Sequence, residues 1–390
     1  MAKNDQTSRI FLRGGRSSLS PKKRMKIKKT KLDKKTAELL ALMKRMGGNL
    51  SAERLSEIMD IPARTLRYRL AKLREGGHLG NLFTQTHEVK LGLDDSAIFM
   101  ELGENYNPIS VDLMAEFKGV YFMSPTYGKY NGYVIRISSP RNMPKYILKM
   151  MDALVDSKLV SKYFVFHNID YISMAANLTD LDPQNNWKWD WNEWIQKSER
   201  QMTKGNQVKL DFDLSQELID CDGKDLEVLT YTKENAELTH KEIGEKTNLS
   251  ASQVGKRIRA FHEYGMVKGY RWLFPDSEDT LYILCYLELE EPNHPVLAYF
   301  INLPFAKEIQ AETPTKLLIR MKMGPEDLVG FLHGYSKLRH HLKYSFLQTV
   351  HDYRYVNEVE EVYNLFNPKT CQWDIPIDKH IAAFKKHLNK

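Results

Sequence analysis

Residues 238–267 read LTHKEIGEKTNLSASQVGKRIRAFHEYGMV, two short helices joined by a tight polar turn. The first helix turns Ile243 inward. After Asn248-Leu249, Ser250 is placed as an N-cap, because a serine oxygen satisfies a free amide at the start of the next helix. That helix carries Val254, Ile258 and Phe261 at i, i+4 and i+7, one apolar stripe at helical period, and Gly265 ends it. Opposite the stripe lie Ser252, Lys256 and Arg259. A helix anchored on one side and short, polar and cationic on the other suits the major groove of duplex DNA.

The same pattern occurs earlier in the chain. A shift of 188 positions lays Leu50 on Leu238, Leu55 on Ile243, Ile61 on Leu249, Leu66 on Val254, Leu70 on Ile258, Leu73 on Phe261 and Gly77 on Gly265, without a gap. The chain is therefore expected to contain an internal repeat, which has to be read before any single residue.

At 390 residues the chain can bury several cores. No run of about 18 apolar residues exists, the longest candidate being the short segment 281–289, so no membrane span is expected. The N-terminal region has no continuous apolar signal. Cys221, Cys285 and Cys371 lie far apart without metal-like spacing and fit a reducing cytoplasm, so a cytoplasmic, chromosome-associated protein is expected.

The net charge of +7 hides an asymmetry, because the first 31 residues hold eleven Lys or Arg against Asp5 alone. Their core, SPKKRMKIKKTK, is too polar to bury itself and is expected to form a disordered basic arm. Lys22, Lys23 and Arg24 are its candidate phosphate contacts, each releasing condensed counterions. The plainer reading is a solubilising terminus.

In chain order, residues 32–46 form a packing helix with Ala37, Leu40 and Met43 on one side. Gly47-Gly48 breaks it, Ser51 caps a helix to residue 59, and Pro62 opens a third helix over 63–75, where its missing amide costs nothing. Opposite the Leu66/Leu70/Leu73 stripe lie Arg64 and Tyr68, flanked by Thr65, Lys72 and Arg67, the candidates for base edges or phosphates. The matching candidates in the later helix are Ser250, Ser252, Gln253, Lys256 and Arg259. Arg69 and Arg257 share one repeat position at the border of the stripe. Either they reach the DNA backbone or they pair with a neighbouring acid, the latter being preferred. Residues 78–91, polar and β-tolerant, fit a two-stranded wing.

Beyond residue 91 the periodicity changes. Segments 97–102, 120–123, 133–137 and 163–174 read as strands and 109–117 and 143–155 as helices, an order βαββαβ that implies a four-stranded antiparallel sheet with two helices on one face. The order recurs over 281–289, 296–301, 306–311, 317–321, 326–337 and 344–355. Pro144, Ile147, Met151 and Tyr163 match Pro325, Leu328, Leu332 and Tyr344 at one offset of 181. The expected fold class is thus α+β, two winged helix-turn-helix domains (32–91 and 218–276) alternating with two ferredoxin-like domains (92–176 and 277–356). An arm (1–31), a Trp-rich connection (177–217) and a C-terminal extension (357–390) complete the chain.

In the connection, Trp187, Trp191 and Trp194 share a helical face. Such a face could stack unpaired bases, but packing against a neighbouring domain is the commoner use. His333, His340 and His341 could in principle hold a metal or cofactor. They lack a paired base or carboxylate spacing and read as surface residues, so no metal and no cofactor is expected.

The second half resembles the Lrp/AsnC (feast/famine) family of regulators. The likeness is carried by Asp222, Asp225, Leu226 and Leu229, by Asn235, Ala236, Glu237 and Ile243, and by Leu249-Ser250, Val254, Arg257 and Ile258. It continues through 265–270, GMVKGY, and Asp33 and Leu40 echo Asp222 and Leu229 in the first half. The resemblance implies winged helix-turn-helix units joined to ligand-sensing, assembly-forming βαββαβ domains. It further implies double-stranded DNA as partner, a small-molecule effector of unspecified identity, and homo-oligomers through the ferredoxin-like domains. A departure bears on sensing: the turn where the family has a glycine reads Thr313-Pro314-Thr315-Lys316, while the first copy has a longer loop, 124–132. The reading is a transcriptional regulator, no enzyme, with two recognition helices in one intramolecular pseudo-dimer. Arg64/Tyr68 against Ser252/Lys256 predicts an operator without perfect symmetry. The alternatives are an architectural DNA-compacting protein and, on the same fold, a haem-precursor decarboxylase.

Overall fold

The computed structural model describes residues 33–46, 52–104, 107–174, 189–205, 208–272, 281–350, 354–357 and 359–389. Helices α1 (Lys34–Met46), α2 (Ala52–Met59) and α3 (Ala63–Glu75) lead into strand β1 (Leu82–Thr86). Strand β2 (Leu93–Leu102), helix α4 (Val111–Met114), strands β3 (Val120–Gly128) and β4 (Gly132–Pro140), helix α5 (Tyr146–Asp156) and strands β5 (Val160–Asn168) and β6 (Asp170–Met174) follow. Helix α6 (Trp191–Thr203) precedes a second helical run, α7 (Gly223–Glu234), α8 (His240–Thr247) and α9 (Ala251–Glu263), which leads into β7 (Val267–Trp272). The remaining elements used below are β8 (Leu281–Glu288), α10 (Leu297–Ile301), β9 (Lys307–Thr313), β10 (Lys316–Met323), α11 (Pro325–Leu338), β11 (Tyr344–Val350), β12 (Arg354–Tyr355) and α12 (Ile377–Leu388). Two compact units divide these elements: the two helical runs with β1 and β7 form one, everything between and after them the other.

The helical unit is built around Leu39, Met43, Leu55, Ile61, Leu66, Leu70, Leu73, Leu79 and Leu82, with Trp272 of β7 completing the cluster. Burying such side chains contributes roughly 1.5–3 kcal/mol each, which is what fixes α3 against α1 and α2. Leu39 joins Met43 in this core, while Leu40 packs at its edge. The expected wing over 78–91 takes a different form. Residues 82–86 are a single strand that pairs antiparallel with β7, Leu82 opposite Trp272, and a 3-10 turn follows at Glu88–Leu91. The physical reason is in β1 itself, where Leu82, Thr84 and Thr86 are buried in alternation and need a β-prone partner. The polar residues before it cannot supply one. Further bonds tie the two runs together: Ala236 N donates to Leu82 O (2.8 Å), Thr84 Oγ1 to Thr232 O (2.8 Å), and Arg74 to Glu237 (2.7 Å).

In the second unit the strand order β5-β2-β4-β3 continues into β11-β8-β10-β9 and ends in β6. Each group of four has the order expected of an antiparallel βαββαβ sheet. The sequence reading of one strand over 163–174 is corrected: the chain bends at Ile169, whose amide donates to Ala311 O, and β6 leaves the first sheet to pair with β9 of the second. The end of β11 and β12 return the exchange by pairing with β3. The expected loop 124–132 is mostly strand, because β3 runs to Gly128. There φ is +145° and a Cβ would overlap the Leu347 carbonyl of β11, so glycine is required.

An aromatic cluster draws on both groups of strands, with Phe99, Tyr130, Phe166, Tyr286 and Phe346 buried together. A polar bridge joins the two groups as well. Arg136 is paired with Asp95, which accepts from the Tyr121 hydroxyl (2.7 Å), and Arg136 Nη1 donates to Gln310 of the second sheet (2.9 Å). On the outer side of the second sheet, α6 packs on α10 and α11, with Trp194 buried and its Nε1 donating to Tyr299 O (2.8 Å). Gly330 and Gly334 make this fit, since a Cβ on either would overlap Trp191 or Trp194. Helix α12 packs on α4 and α5 of the first sheet, Phe384 against Phe117 at 5.3 Å between ring centres. No helix among the described residues is long and apolar enough to cross a membrane.

Candidate nucleic-acid interface

Helix α3 buries Leu66, Leu70 and Leu73. Its opposite face exposes Arg64, Thr65, Arg67, Tyr68 and Lys72. Lys72 Nζ lies 4.8 Å from the Tyr68 ring centre, and the Tyr68 hydroxyl raises the lysine's pKa, so this cation stays charged at any physiological pH. Helix α9 buries Val254 and Phe261 and half-buries Ile258, leaving Ser250, Ser252, Gln253, Lys256 and Arg259 exposed. All ten of these candidates therefore lie on accessible faces. Lys22, Lys23 and Arg24 lie outside the described residues, as do Trp187 and Ser51.

Local chemistry sets the start of α9. Ser250 Oγ accepts from Gln253 N (3.2 Å) and Gln253 Oε1 accepts from Ser250 N (2.8 Å), a reciprocal capping box. Gln253 thus spends its carbonyl on the cap and keeps its amide donors. Helix α8 has the same device in Thr239 and Glu242. Between α8 and α9 Asn248 adopts φ 56°, and between α2 and α3 Asp60 adopts φ 52°, the left-handed residue that turns the chain. Glycines 77 and 265, with φ 72° and 67°, follow the two reading helices.

Arg69 and Arg257 take the structural role. Arg69 Nη1 donates to both carboxylate oxygens of Asp33 (2.7 and 2.8 Å) and to Thr36. Arg257 donates to Asp222 (2.9 and 3.0 Å) and to Asp225. The Thr36 amide and then Arg69 hold the Asp33 carboxyl below its ordinary pKa. Burial acts upward on both Asp222 and Asp225. At Asp222 burial is outweighed by the hydrogen bonds from Arg257 and the Asp225 amide together with the Arg257 charge, and the pKa falls, whereas at Asp225 burial prevails and the pKa rises. Helices α3 and α9 are each thereby clasped to the N-terminal turn of the first helix of their run.

One exposed residue was not singled out from sequence. His240, the first residue of α8, sits beside α9 because position 255 is glycine: a Cβ there would be 3.0 Å from the His240 Nδ1. A glycine in the middle of α9 was the available signal. The other candidates do not assemble into sites. His333, His340 and His341 are exposed, and no group of His, Cys, Asp and Glu that could hold a metal occurs among the described residues. Trp191 and Trp194 belong to the core of the second sheet, as the packing reading expected.

Residues 222–268 match the family model for winged helix-turn-helix DNA-binding domains. No curated protein is significantly similar to the chain. Among solved structures, the siroheme decarboxylase NirDL, in complex with an iron-uroporphyrin III analogue, is similar over 91% of this chain and 99% of its own. The TM-score is 0.52 and the identity 11%. AsnC of E. coli is similar over 34% of this chain and 94% of its own, with 15% identity and TM-score 0.27. A transcriptional regulatory protein of Pyrococcus furiosus, a member of the AsnC family, is similar over 37% and 98%, with 18% identity and TM-score 0.25. The likeness to NirDL shows a shared overall fold. It also overturns the expectation of a chain that is no enzyme, because a structure similar to it along nearly its whole length is that of an enzyme.

Proposed function

We propose that this chain is a DNA-binding transcriptional regulator of Lrp/AsnC type, made by tandem duplication, in which the two helical runs act as the paired reading heads of an intramolecular pseudo-dimer. The observation that carries this reading is the combination of buried apolar stripes with exposed cationic faces on both α3 and α9. The β1–β7 ribbon supports it, since it joins the two runs as one body. Joining two heads raises the effective concentration of the second once the first is bound, so modest contacts at each half-site suffice. Arg64, Thr65, Arg67, Tyr68 and Lys72 face one half-site, and Ser250, Ser252, Gln253, Lys256 and Arg259 the other. Lys22, Lys23 and Arg24 add phosphate contacts. Fluorescence titration of duplex DNA at several salt concentrations tests the reading. Affinity that falls steeply with salt supports it, and no binding to any genomic duplex removes it.

The fold shared with NirDL favours a second reading, decarboxylation of a carboxylate-bearing tetrapyrrole. Incubation with siroheme, followed by visible spectroscopy and product mass, tests it independently of DNA. A loss of carbon dioxide mass units supports that reading, and an unchanged spectrum and mass remove it.

A further inference from the structure

The two faces carry unlike chemistry at corresponding positions. Superposing the runs by sequence sets Arg64 against Ser252, Thr65 against Gln253, Arg67 against Gly255, Tyr68 against Lys256 and Lys72 against Ala260. Two facts sharpen the contrast. On α9 the first turn is occupied by its own capping box, which ties up the Gln253 carbonyl. At Gly255 the space of a side chain is filled by the His240 ring from α8, itself exposed. At its N-terminal end the face of α3 therefore leads with the guanidinium forks of Arg64 and Arg67, while that of α9 leads there with a hydroxyl, an imidazole and the single-point ammonium of Lys256 and carries its one fork, Arg259, further along, opposite Ala71.

These groups read different base edges. A guanidinium fork matches the paired O6 and N7 acceptors of guanine in the major groove, and it loses that match when replaced by a group without two parallel donors. A hydroxyl or imidazole donates or accepts and discriminates less. Because β1–β7 pairing and the Arg74–Glu237 bridge hold both heads in one body, a single chain presents one copy of each head. The unlike faces already lead to an operator without perfect symmetry; resting on the DNA reading above, we infer which group reads which half of it. Guanine dependence is concentrated in the half-site under α3, through Arg64, and His240 is a specificity residue for the half-site under α9.

Selection from a random duplex library with the full chain tests this. The expected consensus has two unlike halves. Arg64→Lys, which keeps the charge and loses the fork, retains overall affinity within a few fold yet lowers the guanine preference of one half by about tenfold. His240→Ala alters preference only in the other half. A consensus with two identical halves, or an Arg64→Lys variant that relaxes both halves equally, overturns the inference while leaving DNA reading intact. Failure to enrich any duplex overturns DNA reading and the inference with it. Both side chains are exposed, and matching circular dichroism of the variants shows that any change is one of recognition.

Discussion

From within α2, Ser56 donates its hydroxyl to the carbonyl of Ile61, in the turn before α3, at 2.6 Å. At the corresponding place in α8 stands Gly244, where a Cβ would overlap the Leu249 carbonyl of the turn before α9. The same turn is thus drawn tighter in the second run than in the first. The clasps differ in the same sense: Arg69 holds one carboxylate, Arg257 two. What the pair teaches is that a common hydrophobic skeleton fixes the path of the chain, while its local stability and its surface chemistry vary from one run to the other.

The largest effect is expected where the outer helices differ. If α6 and α12 were equivalent supports, Trp194→Ala and Phe384→Ala would cost alike. The seating of Trp194 against Gly334, with its indole hydrogen bond to Tyr299, instead predicts the greater loss for Trp194→Ala. That loss is about 3–5 kcal/mol from cavity formation, read from urea denaturation followed by ellipticity. Equal midpoints for the two variants would erase the contrast. A smaller separation is expected at the turns. Gly244→Ala should cost about 1–3 kcal/mol by overpacking, whereas Ser56→Ala should cost about 1 kcal/mol through one lost hydrogen bond. Arg257→Ala should then lower stability by about 1 kcal/mol and Arg69→Ala by less, in chemical denaturation at low salt.

The last contrast concerns pH and runs in opposite directions in the two halves of the sheet. Asp327 on α11 is buried, and burial followed by the nearby Glu326 raises its pKa to about 6 from an ordinary 3.8. Its folded state therefore holds the proton more tightly, so its contribution is fully present below about pH 4 and is lost as pH rises through about 6. At the corresponding helix start, Tyr146 meets His380 of α12 at 3.4 Å, and burial lowers the histidine pKa below 6.5. That contribution is present above pH 6.5 and is lost as pH falls. Denaturation midpoints between pH 4 and 8 should shift upward at neutral pH in Asp327→Asn and show a weakened acid loss in His380→Gln. Parallel profiles for both variants and the parent would contradict the contrast.

Much of this was legible before any coordinates. The stripes Leu66/Leu70/Leu73 and Val254/Phe261 repeat at helical period, and Ser250 stands where an N-cap belongs, so α3 and α9 and their exposed faces follow from local spacing. The strand order followed from alternation in the same way. Pairings made at long range were not legible. Thr84 and Thr86 show that β1 has a buried face, yet nothing in residues 82–86 says that its partner begins at Val267. The bend at Ile169 and the crossing of β6 onto β9 are fixed by the facing sheet, which no local pattern encodes. His240 was missed because its significance depends on the missing side chain of Gly255, fifteen positions on.

The central claim is that both runs present a groove-reading face to duplex DNA, and its most direct measurement is the salt dependence of binding to a selected duplex. For the full chain the logarithm of affinity should fall linearly with the logarithm of salt concentration. The slope should shrink by about 1 for each phosphate-contacting cation removed, whether Lys72 from the first face or Lys256 from the second. Affinity independent of salt, or slopes that respond to one face and never to the other, would contradict it.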